Sequence, residues 1–226
     1  MPGERVNFKS NGGTTPGYLA RPAQPGPAVI VIQEWWGLVP HIKDVADRFA
    51  REGFVALAPD LYHGKKTTSP DEAGKMMMSL RIDQAAKDLD GAIAFLAAQP
   101  EVKSAKVGTI GFCMGGALSL YAASRSPKVG ACVVFYGVHP NVTPDLDALQ
   151  APVLGIFGSD DSTTPPSAVA ELDRQLTARG KRHEFHTYPK TGHAFFNDTR
   201  PQVYDAAAAA DAWAKTLAFL RRELQG

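Results

Sequence analysis

Only two cysteines, Cys113 and Cys132, occur in 226 residues, too few for the disulfide framework of a small secreted domain or for a thiolate metal site. No His-Glu-x-x-His or Cys-x-x-Cys spacing is present, so neither a metal nor a cofactor is expected. No segment approaches the ~18 uninterrupted apolar residues of a membrane span. The start, Met1-Pro2-Gly3-Glu4-Arg5-Val6, lacks the basic and apolar regions of a signal peptide, and a cytoplasmic location is the expectation. An excess of either charge is missing too, with 24 Lys and Arg against 23 Asp and Glu. No basic stripe follows a helix, which argues against nucleic acid as a partner. A monomer or small homo-oligomer acting on a small molecule is expected. Repeats and linkers are also lacking, and the Pro/Gly-rich stretch from Pro22 to Pro27 is too short to separate domains.

With 44% hydrophobic and 21% charged residues, the chain has the composition of an ordinary globular protein, and its length suits one domain over residues 1–226. Two short extended pieces, Arg5 to Ser10 and Gly17 to Arg21, flank Asn11-Gly12-Gly13 and predict an antiparallel edge hairpin. Apolar, β-branched runs recur at Ala28 to Gln33, Phe54 to Ala58, Lys106 to Gly111, Ala131 to Tyr136, Val153 to Phe157 and His183 to Tyr188. Helical patterns occupy most of the gaps, at His41 to Glu52, Ser69 to Leu80, Asp83 to Gln99, Gly115 to Ser124, Pro166 to Arg179 and Pro201 to Leu224. In the last, Tyr204, Trp213, Leu217, Leu220 and Leu224 fit one apolar face. Such alternation predicts an α/β fold with a mostly parallel sheet of about eight strands and helices on both faces.

The run Lys106 to Gly111 feeds through Gly111-Phe112-Cys113-Met114-Gly115 toward a helix. This is the Gly-x-nucleophile-x-Gly elbow of α/β-hydrolases with Cys in place of Ser. The two glycines keep a strained strand-to-helix turn clear of Cβ atoms. The free N–H groups that open the helix face the thiol, which makes the Met114 N–H one candidate oxyanion donor. A buried cysteine beside packing glycines would show the same five residues, so its partners decide. Cys132, inside Gly130-Ala131-Cys132-Val133-Val134 with no polar neighbour, reads as a small core residue.

Downstream, the strand Val153 to Phe157 ends in Gly158-Ser159-Asp160-Asp161, and the strand His183 to Tyr188 delivers Gly192-His193 on a loop. Asp161 is the candidate acid, with Asp160 left to the turn, and His193 is the candidate base. The order nucleophile, acid, histidine is that of α/β-hydrolases. His41, His63, His139, His183 and His186 do not follow a glycine-containing loop in the right place. At the end of the first central strand, Gln33-Glu34-Trp35-Trp36-Gly37 puts an acid and two indoles where the other oxyanion N–H is expected.

These blocks, with Ala58-Pro59-Asp60-Leu61-Tyr62 and Gly192-His193-Ala194-Phe195, resemble the dienelactone hydrolase (carboxymethylenebutenolidase) family over nearly the whole chain. The resemblance implies a Cys113, His193, Asp161 triad, oxyanion donors at Trp35 and Met114, and cleavage of an ester or enol lactone through an acyl-thioester. It also implies that Glu34 keeps the resting thiol neutral until substrate displaces it. The physics allows such a balance, because a helix N-terminus favours the thiolate by about 0.3 to 2 kcal/mol and a nearby carboxylate opposes it. A redox-sensing or purely ligand-binding protein on the same fold is the alternative.

The departures concern substrate. Dienelactone-specific members hold a substrate carboxylate with arginines, one of them four residues beyond the histidine, where this chain has Asn197. Lys75, Arg81 and Arg200 are candidate replacements, and Trp36, Tyr62, Phe195 and Asn197 itself are further candidate substrate contacts. The run Met76-Met77-Met78 reads as helix packing more readily than as a pocket wall.

Overall fold

The computed structural model describes residues 2–137 and 139–225; Met1, Val138 and Gly226 lie outside the described residues. β1 (Glu4–Ser10) and β2 (Gly13–Ala20) form an antiparallel hairpin with Ser10 opposite Gly13. Its connecting residues, Asn11 and Gly12, have φ of 48° and 75°. This left-handed pair suits the right-handed twist of the flanking strands, and Asn and Gly adopt it at least cost. There follow β3 (Gly26–Ile32), α1 (Pro40–Arg51), β4 (Val55–Pro59), α2 (Pro70–Ser79) and α3 (Ile82–Ala97). The chain continues through β5 (Val102–Phe112), α4 (Met114–Arg125), β6 (Val129–Phe135), β7 (Val153–Gly158), α5 (Pro166–Ala178), β8 (His183–Tyr188) and α6 (Ala206–Leu224).

The strands form one sheet in the order β1-β2-β4-β3-β5-β6-β7-β8, antiparallel only where β2 pairs with β1 and β4. Every residue of β3, β4 and β7 is buried, as strands covered on both faces must be. α1 and α6 meet through Phe49 and Trp213, whose ring centroids are 4.5 Å apart. α3 packs beside α4. Strand order reverses at β3, which has β4 on one side and β5 on the other, with Ile32 paired to Gly111. A reversal of this kind opens a crevice at the carboxyl ends of the strands. The loop after β3 and the turn after β5 both end there.

Three element starts differ by about four residues or more from those expected. β2 begins at Gly13, and β5 begins at Val102, with its first five residues at most half-buried. Ladder hydrogen bonds need no apolar side chains, so a hydrophobic pattern misses such ends. The last helix starts at Ala206, because Asp205 caps it by accepting the Ala208 N–H at 2.9 Å. Tyr204, expected on its apolar face, precedes the helix and is 38% exposed. Trp213, Leu217, Leu220 and Leu224 do pack against the core. No helix among the described residues is long and apolar enough to cross a membrane.

Candidate active site

Cys113 stands alone between β5 and α4 at φ 56° and ψ −122°. A non-glycine residue in such a conformation costs about 1–3 kcal/mol, and the surroundings impose it. The Cys113 N–H donates to the Phe135 carbonyl at 3.0 Å. A Cβ on Gly111 would fall 1.8 Å from the Gly115 carbonyl oxygen, and one on Gly115 would fall 2.4 Å from that of Ile32. Both glycines are therefore steric requirements of the turn, and α4 packs directly over the end of β3. The thiol is nearly enclosed, with 7% of Cys113 exposed. Neither the Met114 N–H, first in α4, nor the Trp35 N–H, in the turn after β3, meets a hydrogen-bond acceptor among the described residues.

The loop after β7 carries Asp161, and the loop after β8 carries His193. His193 Nδ1 lies 2.7 Å from Asp161 Oδ2, while Asp161 Oδ1 accepts the N–H groups of Thr163 and Thr164 at 2.8 and 3.0 Å. Burial works against ionised Asp161, but the bond to His193 and the two backbone donors outweigh it and hold the carboxyl below its ordinary range. For His193 burial disfavours the imidazolium, yet Asp161 and Cys113 outweigh it and lift the ring to about 10. His193 Nε2 is buried with no hydrogen-bond partner among the described residues. The Cys113 sulfur is near enough to act on the ring, and no hydrogen bond joins it to Nε2.

Glu34 does not reach solvent. It is 1% exposed, and its Oε2 accepts the Asn197 Nδ2–H at 2.8 Å. Burial raises its carboxyl above the ordinary value, opposed by the Asn197 bond and by His193 and Arg200. Asn197 is itself oriented, its Oδ1 accepting the N–H and the hydroxyl of Thr199. Asn197, a candidate substrate contact in the place of the family's arginine, holds Glu34.

The other candidates divide into two groups. Trp36, Asn197 and Arg200 line a cavity of about 340 Å³ together with His41, Thr67 and Thr199. The Arg200 guanidinium lies 5.4 Å from the Trp36 ring centroid. Asn197, which bonds Glu34, is the link between this hollow and the crevice; neither Cys113 nor His193 lines it. Tyr62 reaches the elbow through its hydroxyl, 3.2 Å from Met114 Sδ. Phe195 is buried against Tyr136 and Tyr188. Lys75 borders a surface hollow with Lys65 and Lys66, and Arg81, 72% exposed at its side chain, pairs with Asp83 and lines a second hollow together with Tyr62.

Apart from His41, which is buried on α1 and lines the hollow beside Asn197, the remaining histidines are engaged elsewhere. His63 bonds Asp88, His183 bonds Asp173, His139 meets the Met77 carbonyl and His186 is half-buried in β8. Asp160 is exposed and accepts the Ser159 hydroxyl. Cys132 is fully buried beside Ser119, and burial pushes its thiol up to about 11.

One residue of the crevice escaped the sequence reading. Tyr136 follows β6 at φ 38° with no exposed surface, its ring centroid 5.0 Å from that of His193. Its hydroxyl has no hydrogen-bond partner among the described residues. An unpaired buried hydroxyl costs about 1–3 kcal/mol, which phenylalanine would avoid. Burial raises the phenol well above its ordinary value, and Glu34, Cys113 and Asp161 raise it further. The only signal in the sequence was a polar tip at the carboxyl end of a central strand.

The dienelactone hydrolase family model matches residues 15–224. Protein usf of Aquifex pyrophilus is 39% identical, over 98% of this chain and 99% of its own. An Aquifex aeolicus protein provisionally named carboxymethylenebutenolidase is 34% identical over 99% of this chain and 100% of its own. A crystal structure provisionally named dienelactone hydrolase, from Klebsiella pneumoniae, superposes with a TM-score of 0.89 at 30% identity, covering 97% of this chain and 98% of that one.

Proposed function

The chain belongs to the dienelactone hydrolase family and is a hydrolase, and from that premise we propose that it cleaves esters or enol lactones through Cys113, His193 and Asp161. Support comes above all from one observation: the Asp161–His193 pair, at 2.7 Å, stands beside a cysteine held at φ 56° at the head of α4. In the proposed cycle Glu34, displaced by substrate, takes the Cys113 proton and returns it at the end; the thiolate sulfur attacks the acyl carbon and the carbonyl pair moves onto oxygen, where the Trp35 and Met114 N–H groups receive it. Collapse breaks the carbon–oxygen bond, and His193 protonates the departing oxygen. Water, deprotonated by His193, then hydrolyses the thioester and restores the thiol and the ring. Asp161 fixes the imidazole tautomer and stabilises its cation.

Glu34 acts in this reading as the restraint on the resting thiol. Its negative charge opposes a thiolate until a substrate shifts it, and the Asn197 bond holds it meanwhile. Enol lactones and activated esters suit the chemistry, because a stabilised enolate or phenolate leaves in competition with a thiolate, whereas an alkoxide does not. Residues 1–226 work as one domain, without metal, nucleic acid or membrane. A cytoplasmic setting fits two free cysteines, since thiol reductants there keep a sulfur nucleophile reduced.

Cys113→Ala is the test. It is expected to abolish hydrolysis of aryl esters and enol lactones while the circular dichroism spectrum stays that of the wild type. Mass spectrometry of the quenched wild-type reaction is expected to find an acyl group on Cys113. Undiminished turnover by the alanine variant would overturn the mechanism, and a lactone and ester panel with and without a carboxylate defines the substrate.

A further inference from the structure

Two buried polar atoms in the crevice have no hydrogen-bond partner among the described residues: His193 Nε2 and Tyr136 Oη. They belong to rings in edge contact, 5.0 Å between centroids at an interplanar angle of 60°. Tyr136 is fixed from several sides. Its N–H donates to the Ile156 carbonyl at 2.8 Å, and its carbonyl accepts the Thr164 hydroxyl at 3.2 Å. Thr164 in turn donates its N–H to Asp161 at 3.0 Å. The ring packs against Phe112, Phe135 and Phe195 as well as His193. The same segment therefore locates the acid that orients His193 and the phenol that flanks it.

Packing alone does not account for this tyrosine. Phenylalanine would fill the same space and make the same ring contacts without an orphaned hydroxyl, and the left-handed backbone of Tyr136 is strained for either residue. A donor kept unpaired in a finished fold is suited to an acceptor that arrives with the substrate. The surroundings define which one. The backbone donors at Trp35 and Met114 lie at the β3 and β5 ends, where the acyl oxygen goes. Tyr136 lies at the β6 end against the imidazole, on the side of the oxygen that His193 serves.

We propose that Tyr136 is a further catalytic residue, whose hydroxyl donates a hydrogen bond to the leaving-group oxygen as it departs and to the attacking water oxygen when the thioester is hydrolysed. This rests on the Cys113 hydrolase reading and deepens it. The electron pair of the breaking carbon–oxygen bond stays on oxygen, the proton that neutralises it comes from His193 Nε2, and Tyr136 keeps its own. Burial and the surrounding carboxylates hold the phenol proton in place, as that role requires. Both steps use one position, because the water enters along the path by which the leaving group left.

The experiment compares Tyr136→Phe with wild type on acetate esters whose leaving groups run from p-nitrophenol through phenol to trifluoroethanol, with Tm measured in parallel. A lost hydrogen bond to an oxygen that develops charge predicts a fall in kcat/KM of roughly 10- to 100-fold for the most basic leaving group. The loss should be several-fold smaller for p-nitrophenol, which needs little help, so the dependence on leaving-group basicity steepens. The Tm should hold or rise. An equal loss across the series, or none, would overturn the proposal, since a structural role moves all substrates together. If the phenylalanine variant does not fold, 3-fluorotyrosine at position 136, a stronger donor of nearly the same shape, should flatten the dependence, and an unchanged slope would overturn it. Cys113→Ala separates the two readings: loss of activity there with a silent Tyr136→Phe removes only this proposal, and turnover without Cys113 removes both.

Discussion

Replacing Glu34 with glutamine keeps the shape of the side chain and deletes its charge. The adjoining hydrogen bond should survive, because Thr199 occupies Asn197 Oδ1 at 3.1 and 2.7 Å and leaves Nδ2 facing residue 34, 2.8 Å from its oxygen. An amide oxygen accepts that donor as well as a carboxylate oxygen does. What changes is the field at Cys113. Two unit charges about 4 Å apart interact by about 4 kcal/mol at an effective dielectric of 20, and the interaction falls inversely with distance. A quarter of that, about 1 kcal/mol, multiplies the thiolate fraction about fivefold. Since the thiolate is the species that alkylates, iodoacetamide is expected to modify Glu34→Gln at least about five times faster than wild type at neutral pH.

Peptide mapping by mass spectrometry assigns the adduct, and Cys132 serves as an internal control. It is fully buried and its thiol is pushed up to about 11, so it should stay unmodified in the folded protein. The pH dependence adds a sign. Burial raises the Glu34 carboxyl above its ordinary value, so on acidification it takes up a proton sooner than an exposed glutamate would. The wild-type rate should then approach that of the variant as pH falls. Equal rates at neutral pH, or a slower variant, would refute the idea that Glu34 restrains the thiol.

Three further outcomes follow from the same geometry. Asp161→Asn removes the bond that does most to raise the His193 ring against its burial, so the ring that holds its proton to about 10 in wild type should release it at clearly lower pH by proton NMR, with turnover down by about 100-fold or more; a wild-type ring titrating near its ordinary value would contradict this. Asn197→Leu deprives a buried carboxylate of its one side-chain donor among the described residues. A carboxyl raised in the folded state weakens the fold as pH rises through that raised value, so urea unfolding should show a loss of about 1.5–3 kcal/mol at neutral pH that shrinks on acidification; a loss independent of pH would be incompatible. Gly115→Ala places a Cβ 2.4 Å from the Ile32 carbonyl oxygen and should cost more than about 3 kcal/mol or prevent soluble expression, whereas a stable, active variant would show that the elbow can relax.

The elements that carry the chemistry were legible because their chemistry needs unusual residues at fixed places. A cysteine at positive φ requires glycines on both sides, and Gly111 and Gly115 are visible without coordinates. The strands β3, β4 and β7 are buried on both faces, so their apolar runs announced them, whereas the exposed half of β5 is held by backbone pairing that leaves no hydrophobic trace. Long-range pairings were opaque for a related reason. Asn197 and Glu34 are 163 residues apart, and nothing local in Phe195-Phe196-Asn197 says that its amide will face an acid after β3. Lys75 and Arg81 show the converse, since charges near the right segments were drawn to solvent and to Asp83 once α2 and α3 packed. Tyr136 is the most instructive omission. A hydrophobic pattern reads Phe135-Tyr136 as core, and in burial it is core. Its hydroxyl becomes informative only when a full inventory of hydrogen bonds leaves it without a partner beside the imidazole. Residues that the fold alone would not favour thus mark the candidate site in both directions: the strained Cys113 does so in the sequence, through its glycines, and the orphaned Tyr136 hydroxyl does so only in three dimensions.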